Sequence, residues 1–305
     1  MEEQELEAEC EALRQALKGK GEQLINLVLS KSKRDRYQLR QAYKNFFGKE
    51  LEEQINSDLS GNFRRVFIDL FRTPTERDAI YLYKAMKGAG TDEDTVIEII
   101  CSRSNVELEK IRTEYETRYK ENLEKRVSSE TSGSFKKLLV SLLQCRRSEN
   151  SMPNDAECKR LAEVLYQAGE GKLGTDDATF NKVFALSSPP ELFSINQYYS
   201  SLSSRSLKQA VDKEFSGDIK TALNTILEAI ITPTNYFARR INKAVKGLGT
   251  NDKLLIRTIC SREGIDMREI RESYKTLFGK EMIQDIKDDT SGDYQKVLIR
   301  LASGD

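Results

Sequence analysis

Met86-Lys87-Gly88-Ala89-Gly90-Thr91 is a glycine-rich stretch whose form recurs along this chain of 305 residues. Two later stretches share that form, and they read Gly171-Lys172-Leu173-Gly174-Thr175 and Val245-Lys246-Gly247-Leu248-Gly249-Thr250. An acidic residue follows the last glycine of each stretch by 40 residues, which pairs Gly90 with Glu130, Gly174 with Glu214, and Gly249 with Asp289. A loop and an acid that recur at one fixed offset indicate internal repeats built from the same structural unit.

A fourth, degenerate copy of the pattern lies near the N-terminus. It keeps Gly19 and Gly21 but lacks the threonine, and its acid, Asp58, follows Gly21 by 37 residues. The four copies divide the chain into predicted repeats at residues 1–72, 73–145, 155–231 and 232–305. The polar residues 146–154 are predicted to form a linker between the second and third repeats.

Within a repeat, the apolar residues are spaced as they are on helices. Leu108, Ile111 and Tyr115 show this spacing in the second repeat. The sequence shows no sustained alternation of apolar and polar residues, which half-buried strands would produce. It therefore predicts an all-α fold in which each of the four repeats contains about five helices.

The composition argues against several classes of function. Lysine and arginine number 49, aspartate and glutamate also number 49, and histidine is absent from the sequence. This balance does not predict the basic surface typical of nucleic-acid binding, so we expect no nucleic-acid partner. The absence of histidine removes the commonest general base and the commonest zinc ligand. Since no other catalytic constellation is found, we predict that the protein is not an enzyme.

The chain also lacks sequence signals for secretion or membrane insertion. Its first residues are acidic and do not have the basic and then apolar profile of a signal peptide. The longest apolar runs, such as Leu138 to Leu143, are far shorter than the ~20 residues of a membrane span. Cys101 and Cys260 each follow a loop glycine by 11 residues and are interpreted as reduced core residues. We therefore expect a cytoplasmic protein.

A single glycine loop of this kind has an ordinary structural explanation. Glycine commonly ends a helix in the left-handed conformation. A following Thr91 is a good N-cap, and residues 91–94 resemble a capping box with an acid at its fourth position. A cap, however, does not require an acid 40 residues away at the same offset in three copies.

A hard cation explains the recurring acid better than a helix cap does. Calcium takes about six to eight oxygen ligands from backbone carbonyls, carboxylates and water. Two glycines two residues apart allow a loop to bend so that several carbonyls point inward. One acid can then complete the site, and its single negative charge predicts weak intrinsic affinity for calcium, which improves when a phosphate oxygen joins.

In combination, the G-x-G-T loops, the distant acids near Ser-Gly and the helical repeats resemble the annexins over about residues 3 to 303. The resemblance implies that the four repeats pack into a curved disc and that calcium is the cofactor. It also implies calcium-dependent binding to anionic phospholipid membranes, as a peripheral membrane tether or organiser that is cytoplasmic and moves onto membranes when calcium rises. Lateral self-assembly on the membrane is a further implication.

The resemblance also implies the calcium ligands, which are loop carbonyls and one carboxylate in each repeat. The implied sets are Met86, Gly88, Gly90 and Glu130 in repeat 2; Gly169, Lys172, Gly174 and Glu214 in repeat 3; and Val245, Gly247, Gly249 and Asp289 in repeat 4. In repeat 1, Gly19, Gly21 and Asp58 form an eroded set. A secondary site at Thr91 and Glu93 competes with a simpler explanation, because carboxylates are favoured in the first turn of a helix.

Four residues of the loops are candidates for contact with lipid. Leu173 and Leu248 stand at the tips, and Lys87 and Lys246 flank the loops. Ordinary surface leucine and lysine remain an alternative explanation for these residues. The alternative for the whole molecule is a helical-repeat scaffold with partly vestigial calcium loops, which would bind a cytoskeletal or other protein partner.

Overall fold

The computed structural model describes residues 3–19 and 21–304, and within these ranges the regular structure consists of twenty α-helices without a strand. Repeat 1 contains α1 (Glu3–Lys18), α2 (Gly21–Leu29), α3 (Lys33–Phe47), α4 (Leu51–Asp58) and α5 (Gly61–Leu70). Repeat 2 contains α6 (Pro74–Ala85), α7 (Glu93–Ser102), α8 (Asn105–Tyr119), α9 (Leu123–Glu130) and α10 (Gly133–Leu143). The same five-helix order then occurs twice more.

Repeat 3 contains α11 (Asp155–Ala168), α12 (Asp177–Leu186), α13 (Pro189–Leu202), α14 (Leu207–Glu214) and α15 (Gly217–Ile231). Repeat 4 contains α16 (Pro233–Val245), α17 (Asp252–Arg262), α18 (Met267–Phe278), α19 (Met282–Asp289) and α20 (Gly292–Ser303). The prediction of an all-α fold with four repeats of about five helices is therefore confirmed.

Short polar sequences set where the helices begin. Ser104 and Glu107 form a capping box at the start of α8, and Ser188 and Glu191 form one at the start of α13. In such a box, each side chain accepts a hydrogen bond from a backbone N–H that would otherwise lack a partner. These caps explain why α8 and α13 start at defined residues.

The acid of each repeat lies at or next to a tight turn between the fourth and fifth helices. The fifth helix begins with a glycine in the left-handed region, at Gly61, Gly133, Gly217 and Gly292 with φ of 59°, 58°, 62° and 63°. Each of these glycines follows the acid of its repeat by three residues. The same backbone turn therefore holds the acid in all four repeats, including the repeat with the eroded loop.

The chain forms two compact units, each made of two repeats. One unit contains the residues up to Pro74 together with Phe237 onward, and thus holds repeats 1 and 4. The other unit runs from Thr75 to Tyr236 and holds repeats 2 and 3. In both units, the fifth helix of each repeat packs against the second helix of its partner: α5 with α17 and α20 with α2, then α10 with α12 and α15 with α7.

The helices of each unit enclose a close-packed apolar core. Tyr115, Phe180 and Tyr199 are fully buried in the unit of repeats 2 and 3, and Tyr43 and Tyr274 are buried in the other unit. Four of the five cysteines are buried and none of the five is in a disulfide, which places Cys101 and Cys260 in the core as reduced thiols. None of the described helices combines the length and apolar character that crossing a membrane requires.

Candidate metal centre

Each of the three intact loops is closed at its base by the same backbone hydrogen bond. The N–H of the residue after the loop threonine donates to the carbonyl of the alanine that precedes the loop, and the N–O distance is 2.8 Å in all three. The bonded pairs are Asp92 with Ala85, Asp176 with Ala168, and Asn251 with Ala244. This bond fixes both ends of the loop, so the residues between them form a defined cradle.

The glycines inside the loops adopt backbone conformations that residues with a Cβ atom rarely adopt. Gly88 and Gly90 have φ of 106° and 88°, and Gly247 and Gly249 have φ of 123° and 88°. The near identity of the two pairs shows that repeats 2 and 4 bend their loops in the same way. The sequence predicted this bending from the two glycines alone.

The loop of repeat 3 is built differently from the other two. Gly174 is left-handed with φ of 81°, but Gly169 has φ of −122° and its carbonyl accepts a hydrogen bond of 3.2 Å from the N–H of Lys172. Because a carbonyl oxygen has two lone pairs, Gly169 retains the capacity to contact a cation as well. The variant sequence of this repeat is thus matched by a variant backbone.

The fold brings each distant acid to its loop, and the loop threonine makes the contact. The Thr91 hydroxyl donates to Glu130 Oε2 over 2.9 Å, and the Thr175 hydroxyl donates to Glu214 Oε2 over 2.7 Å. In repeat 4, the Thr250 hydroxyl lies 2.6 Å from Asp289 Oδ2. The pairs that the offset of 40 residues selected are therefore neighbours in space, although their role as metal ligands stays a prediction.

This contact corrects the interpretation of Thr91 as a helix N-cap. The N-cap of α7 is Asp92, whose Oδ1 accepts a hydrogen bond of 3.1 Å from the N–H of Thr95. The hydroxyl of Thr91 is directed to Glu130 instead, so it does not cap the helix. The signal for this division of roles was present in the sequence, since an aspartate or asparagine follows the threonine in every intact loop.

The oxygen atoms available at the loops fit calcium better than they fit zinc. Among residues 3–19 and 21–304, no three acidic or cysteine side chains converge on a position that a metal ion could share. Each loop instead contains backbone carbonyls and contacts one carboxylate through its threonine; carbonyl and carboxylate oxygens are the ligands that a hard cation such as calcium prefers. Water and an additional anion would have to complete such a site.

A concave space of about 430 Å³ adjoins the loop of repeat 4. Its lining includes Val245, Gly247 and Asp289 from the predicted ligand set, together with Asp285 and Asp288. Lys246 also borders this space. The loop, its acid and two further carboxylates thus surround one opening.

Repeat 1 does not form a comparable loop. Helix α1 ends at Lys18 and α2 already begins at Gly21, and neither Gly19 nor Gly21 is left-handed. Asp58 accepts hydrogen bonds from Gln54 Nε2 over 2.6 Å and from Ser57 over 3.0 Å. Gly19, Gly21 and Asp58 do line one cavity, but without the bent backbone that would turn carbonyls inward.

The tips of two loops are fully accessible to solvent. Leu173 and Leu248 have relative exposures of 103% and 109%, and they stand out among the exposed large apolar residues. The ammonium of Lys87 lies 5.4 Å from the ring centroid of Tyr83, so it stays close to its own repeat. Glu93 is the first residue of α7, where the helix dipole favours an acid.

One residue at the repeat 2 loop was not found from the sequence. Arg126 donates a hydrogen bond to the carbonyl of Met86, which is one of the predicted ligands. Its guanidinium also lies 3.0 Å from Glu130 Oε1. Arg126 occupies the position four residues before the acid, and only a comparison of that position among the repeats could have indicated it.

Comparison with known proteins gives matches along nearly the whole chain. The family model described as Annexin matches residues 8–70, 77–142, 160–226 and 236–301. Annexin A11 from Oryctolagus cuniculus is 38% identical over 299 residues, which are 97% of this chain and 59% of that protein. The chain therefore spans less than two thirds of the length of that relative.

Solved structures give the same result. The structure of annexin III matches with a TM-score of 0.94 and 35% identity, covering 98% of this chain and 94% of that chain. A structure described as calcium-bound annexin (Sm)1 matches with a TM-score of 0.86 and 28% identity, covering 97% of this chain and 90% of that chain. The sequence comparison and the structure comparison thus both find annexins.

Proposed function

Because the chain belongs to the annexin family of calcium-dependent phospholipid-binding proteins, we propose that it holds calcium in the loops of repeats 2, 3 and 4 and binds anionic phospholipid there. The observation that carries the proposal is the contact between loop and acid, made by a threonine hydroxyl at 2.6–2.9 Å in all three repeats. Repeat 1 is left out because its glycines are not left-handed.

The ligands in this proposal are the carbonyls of Met86, Gly88 and Gly90 with Glu130, and the corresponding sets in the other two repeats. A bound calcium ion supplies positive charge that lipid phosphate oxygens can share. The threonine hydroxyl orients the carboxylate toward the loop, and the base-closing backbone bond keeps the carbonyls in place. Because each loop contributes one carboxylate, the affinity for calcium without lipid is expected to be weak.

Lipid and calcium must then strengthen each other's binding, since coupling between two sites is reciprocal. The exposed tips Leu173 and Leu248 would enter the interface between headgroups and acyl chains. Lys87 and Lys246 would contact phosphates beside them. The protein would act without catalysis, as a cytoplasmic tether or organiser that moves to membranes when calcium rises and that assembles laterally there.

The direct test is sedimentation with phosphatidylserine vesicles in the presence of calcium or of a chelator. We expect the wild-type protein to pellet with calcium and to stay in the supernatant with chelator. Replacing all three acids, Glu130→Ala with Glu214→Ala and Asp289→Ala, should abolish pelleting. Asp58→Ala is the matched control, because it removes the acid of the eroded loop and should leave pelleting unchanged.

Two results would contradict the proposal in different ways. Equal pelleting with chelator would reject calcium bridging, and calcium-dependent pelleting of the triple variant would reject the ligand assignment. The alternative of a protein-binding scaffold with vestigial loops predicts no heat in calorimetric calcium titrations, even with lipid present. The bent glycines and the threonine–acid contacts in three repeats weigh against that alternative.

A further inference from the structure

Repeat 2 carries a positively charged side chain inside its own candidate calcium loop. Arg126 lies on α9, one helical turn before Glu130. Its Nη2 atom donates to the Met86 carbonyl and lies 3.0 Å from Glu130 Oε1. One guanidinium therefore contacts two of the oxygen atoms that the proposed site would offer to calcium.

The other repeats place different chemistry at this position. The residue four before the acid is Gln54 in repeat 1, Ala210 in repeat 3 and Asp285 in repeat 4. Asp285 borders the same concave space as Asp289 and accepts a hydrogen bond of 2.6 Å from the Tyr274 hydroxyl. Repeat 4 has Asp285 at the position where repeat 2 has Arg126. The formal charge beside the loop therefore differs by two units between these two repeats.

We propose that Arg126 is a tethered competitor of calcium, which makes repeat 2 the loop that fills last. The proposal rests on the function proposed above and concerns its regulation. The guanidinium and a calcium ion would bind the same oxygens, those of the Met86 carbonyl and the Glu130 carboxylate, and the two positive charges repel each other. Calcium binding at repeat 2 therefore requires the Arg126 side chain to move away from these oxygens.

The surroundings of Arg126 allow it to leave. Its side chain is 28% exposed, so it is not locked in the core. Its Nη1 atom lies 3.7 Å from Glu121 Oε1, and Glu121 also accepts a hydrogen bond of 3.1 Å from the Tyr115 hydroxyl. Glu121 is thus an alternative partner toward which the guanidinium can rotate when Met86 and Glu130 engage a cation.

The strength of the competition follows from this partial exposure. An ion pair in contact with solvent is worth little, and the calcium affinity of a loop falls by the fraction of time for which the competitor occupies it. Removing the arginine should therefore lower the half-maximal calcium concentration of repeat 2 by about three- to tenfold. Replacing Arg126 with aspartate should lower the half-maximal calcium concentration further, since this variant places at repeat 2 the carboxylate that repeat 4 has at the same position.

The experiment isolates repeat 2 in the full chain. Glu214→Ala with Asp289→Ala silences the other two loops, and Arg126→Ala, Arg126→Asp or Lys125→Ala is then added. Lys125 is exposed on the same helix and controls for the loss of one positive charge. Calcium titration is followed by calorimetry and by pelleting with phosphatidylserine vesicles, and circular dichroism in chelator confirms folding.

We expect half-maximal calcium to fall in the order Lys125→Ala, Arg126→Ala, Arg126→Asp, with little change for the lysine variant. If Arg126→Ala and Lys125→Ala behave alike, the competitor is rejected while the proposed function stands. An increase in half-maximal calcium for Arg126→Ala would also reject it, because Arg126 would then support the site. If the wild-type protein shows neither calcium heat nor calcium-dependent pelleting, both the proposed function and the competitor are rejected. This result therefore differs from one that rejects the competitor alone.

Discussion

At the scale of single residues, the threonine of each loop has a role that the loop sequence did not reveal. Its hydroxyl contacts the distant acid in three repeats, while the following aspartate or asparagine caps the next helix. A threonine followed by acids is a common capping signal, so local sequence favoured the wrong residue. The aspartate or asparagine after each threonine is a competing capping signal in the sequence. The contact that decides between the two residues, from the hydroxyl to an acid 39 residues away, is seen in the fold.

Thr250→Val tests this role, because valine keeps the shape of threonine and removes the hydroxyl. Asp289 loses the donor that holds it 2.6 Å away, so it should spend less time facing the loop. We expect half-maximal calcium for vesicle binding to rise by roughly two- to tenfold, because a hydrogen bond contributes about 0.5–1.5 kcal/mol net. Thr250→Ser retains the hydroxyl and should bind like the wild type. A loss in Thr250→Ser as large as that in Thr250→Val would reject the hydroxyl as the specific cause, because a variant that keeps it would then bind no better than one that lacks it.

Arg126 marks the limit of prediction at the residue scale. The fixed offset identified Glu130 because three repeats share it, but Arg126 occurs in only one of them. A side chain on an exposed helical face gives no periodic signal, and whether it reaches a loop carbonyl depends on how two segments pack. The contacts between loop and acid could thus be predicted from recurrence, whereas the residue that distinguishes repeat 2 could not.

At the scale of helices, Glu170 shows how the variant loop of repeat 3 is attached to its surroundings. Its carboxylate accepts hydrogen bonds from Tyr199 on α13, over 3.0 Å, and from Ser203 and Arg205 in the segment between α13 and α14. Burial tends to raise the pKa of Glu170, but these three donors outweigh burial and hold the pKa below its usual range. One side chain therefore ties the loop to α13 and to the segment that follows it.

The lowered pKa of Glu170 predicts a pH dependence of stability. A carboxylate with a depressed pKa in the folded state contributes stability above its unfolded pKa of about 4.3, and loses it as pH falls through the folded value. Glu170→Gln should therefore lower the free energy of unfolding by about 1–2 kcal/mol at pH 7. The difference from wild type should shrink below about pH 4.

Urea unfolding at pH 7, 5 and 3.5 measures this effect. Glu163→Gln is the matched control, since Glu163 is exposed on α11 and should change stability little at any of these pH values. A difference between Glu170→Gln and wild type that stays constant down to pH 3.5 would show that the loss comes from packing rather than from the charge.

At the scale of the whole molecule, the number and order of the helices could be predicted, but their pairing could not. Helical spacing in residues such as Leu108, Ile111 and Tyr115 marks which face of a helix is buried. It does not say which helix covers that face. Repeat 1 packs with repeat 4 in one unit and repeat 2 with repeat 3 in the other, and neighbourhood in sequence gives no sign of the first pairing.

The balanced charge of the chain predicts how it should behave toward membranes at low salt. Positive and negative side chains number 49 each, so attraction to anionic lipid should depend on bound calcium rather than on lysines. With chelator present, we expect no pelleting with phosphatidylserine vesicles even at about 10 mM ionic strength. At this low salt concentration, the attraction between opposite charges extends over about 30 Å before ions screen it. Pelleting in chelator that disappears at about 150 mM salt would instead reveal a basic patch that acts alone.

The hydrogen bond that closes each loop has a consequence for protein engineering. Because Ala85 and Asp92, like Ala244 and Asn251, are joined by the same 2.8 Å contact, the segments 86–91 and 245–250 are six-residue inserts between equivalent fixed ends. We therefore expect the two segments to be exchangeable once the core contacts of the buried Met86 are preserved. Replacing either segment with a loop that binds a lanthanide would place a luminescent or paramagnetic label at a chosen position. The helices on either side would keep their register, because the hydrogen bond at the base of the loop is retained.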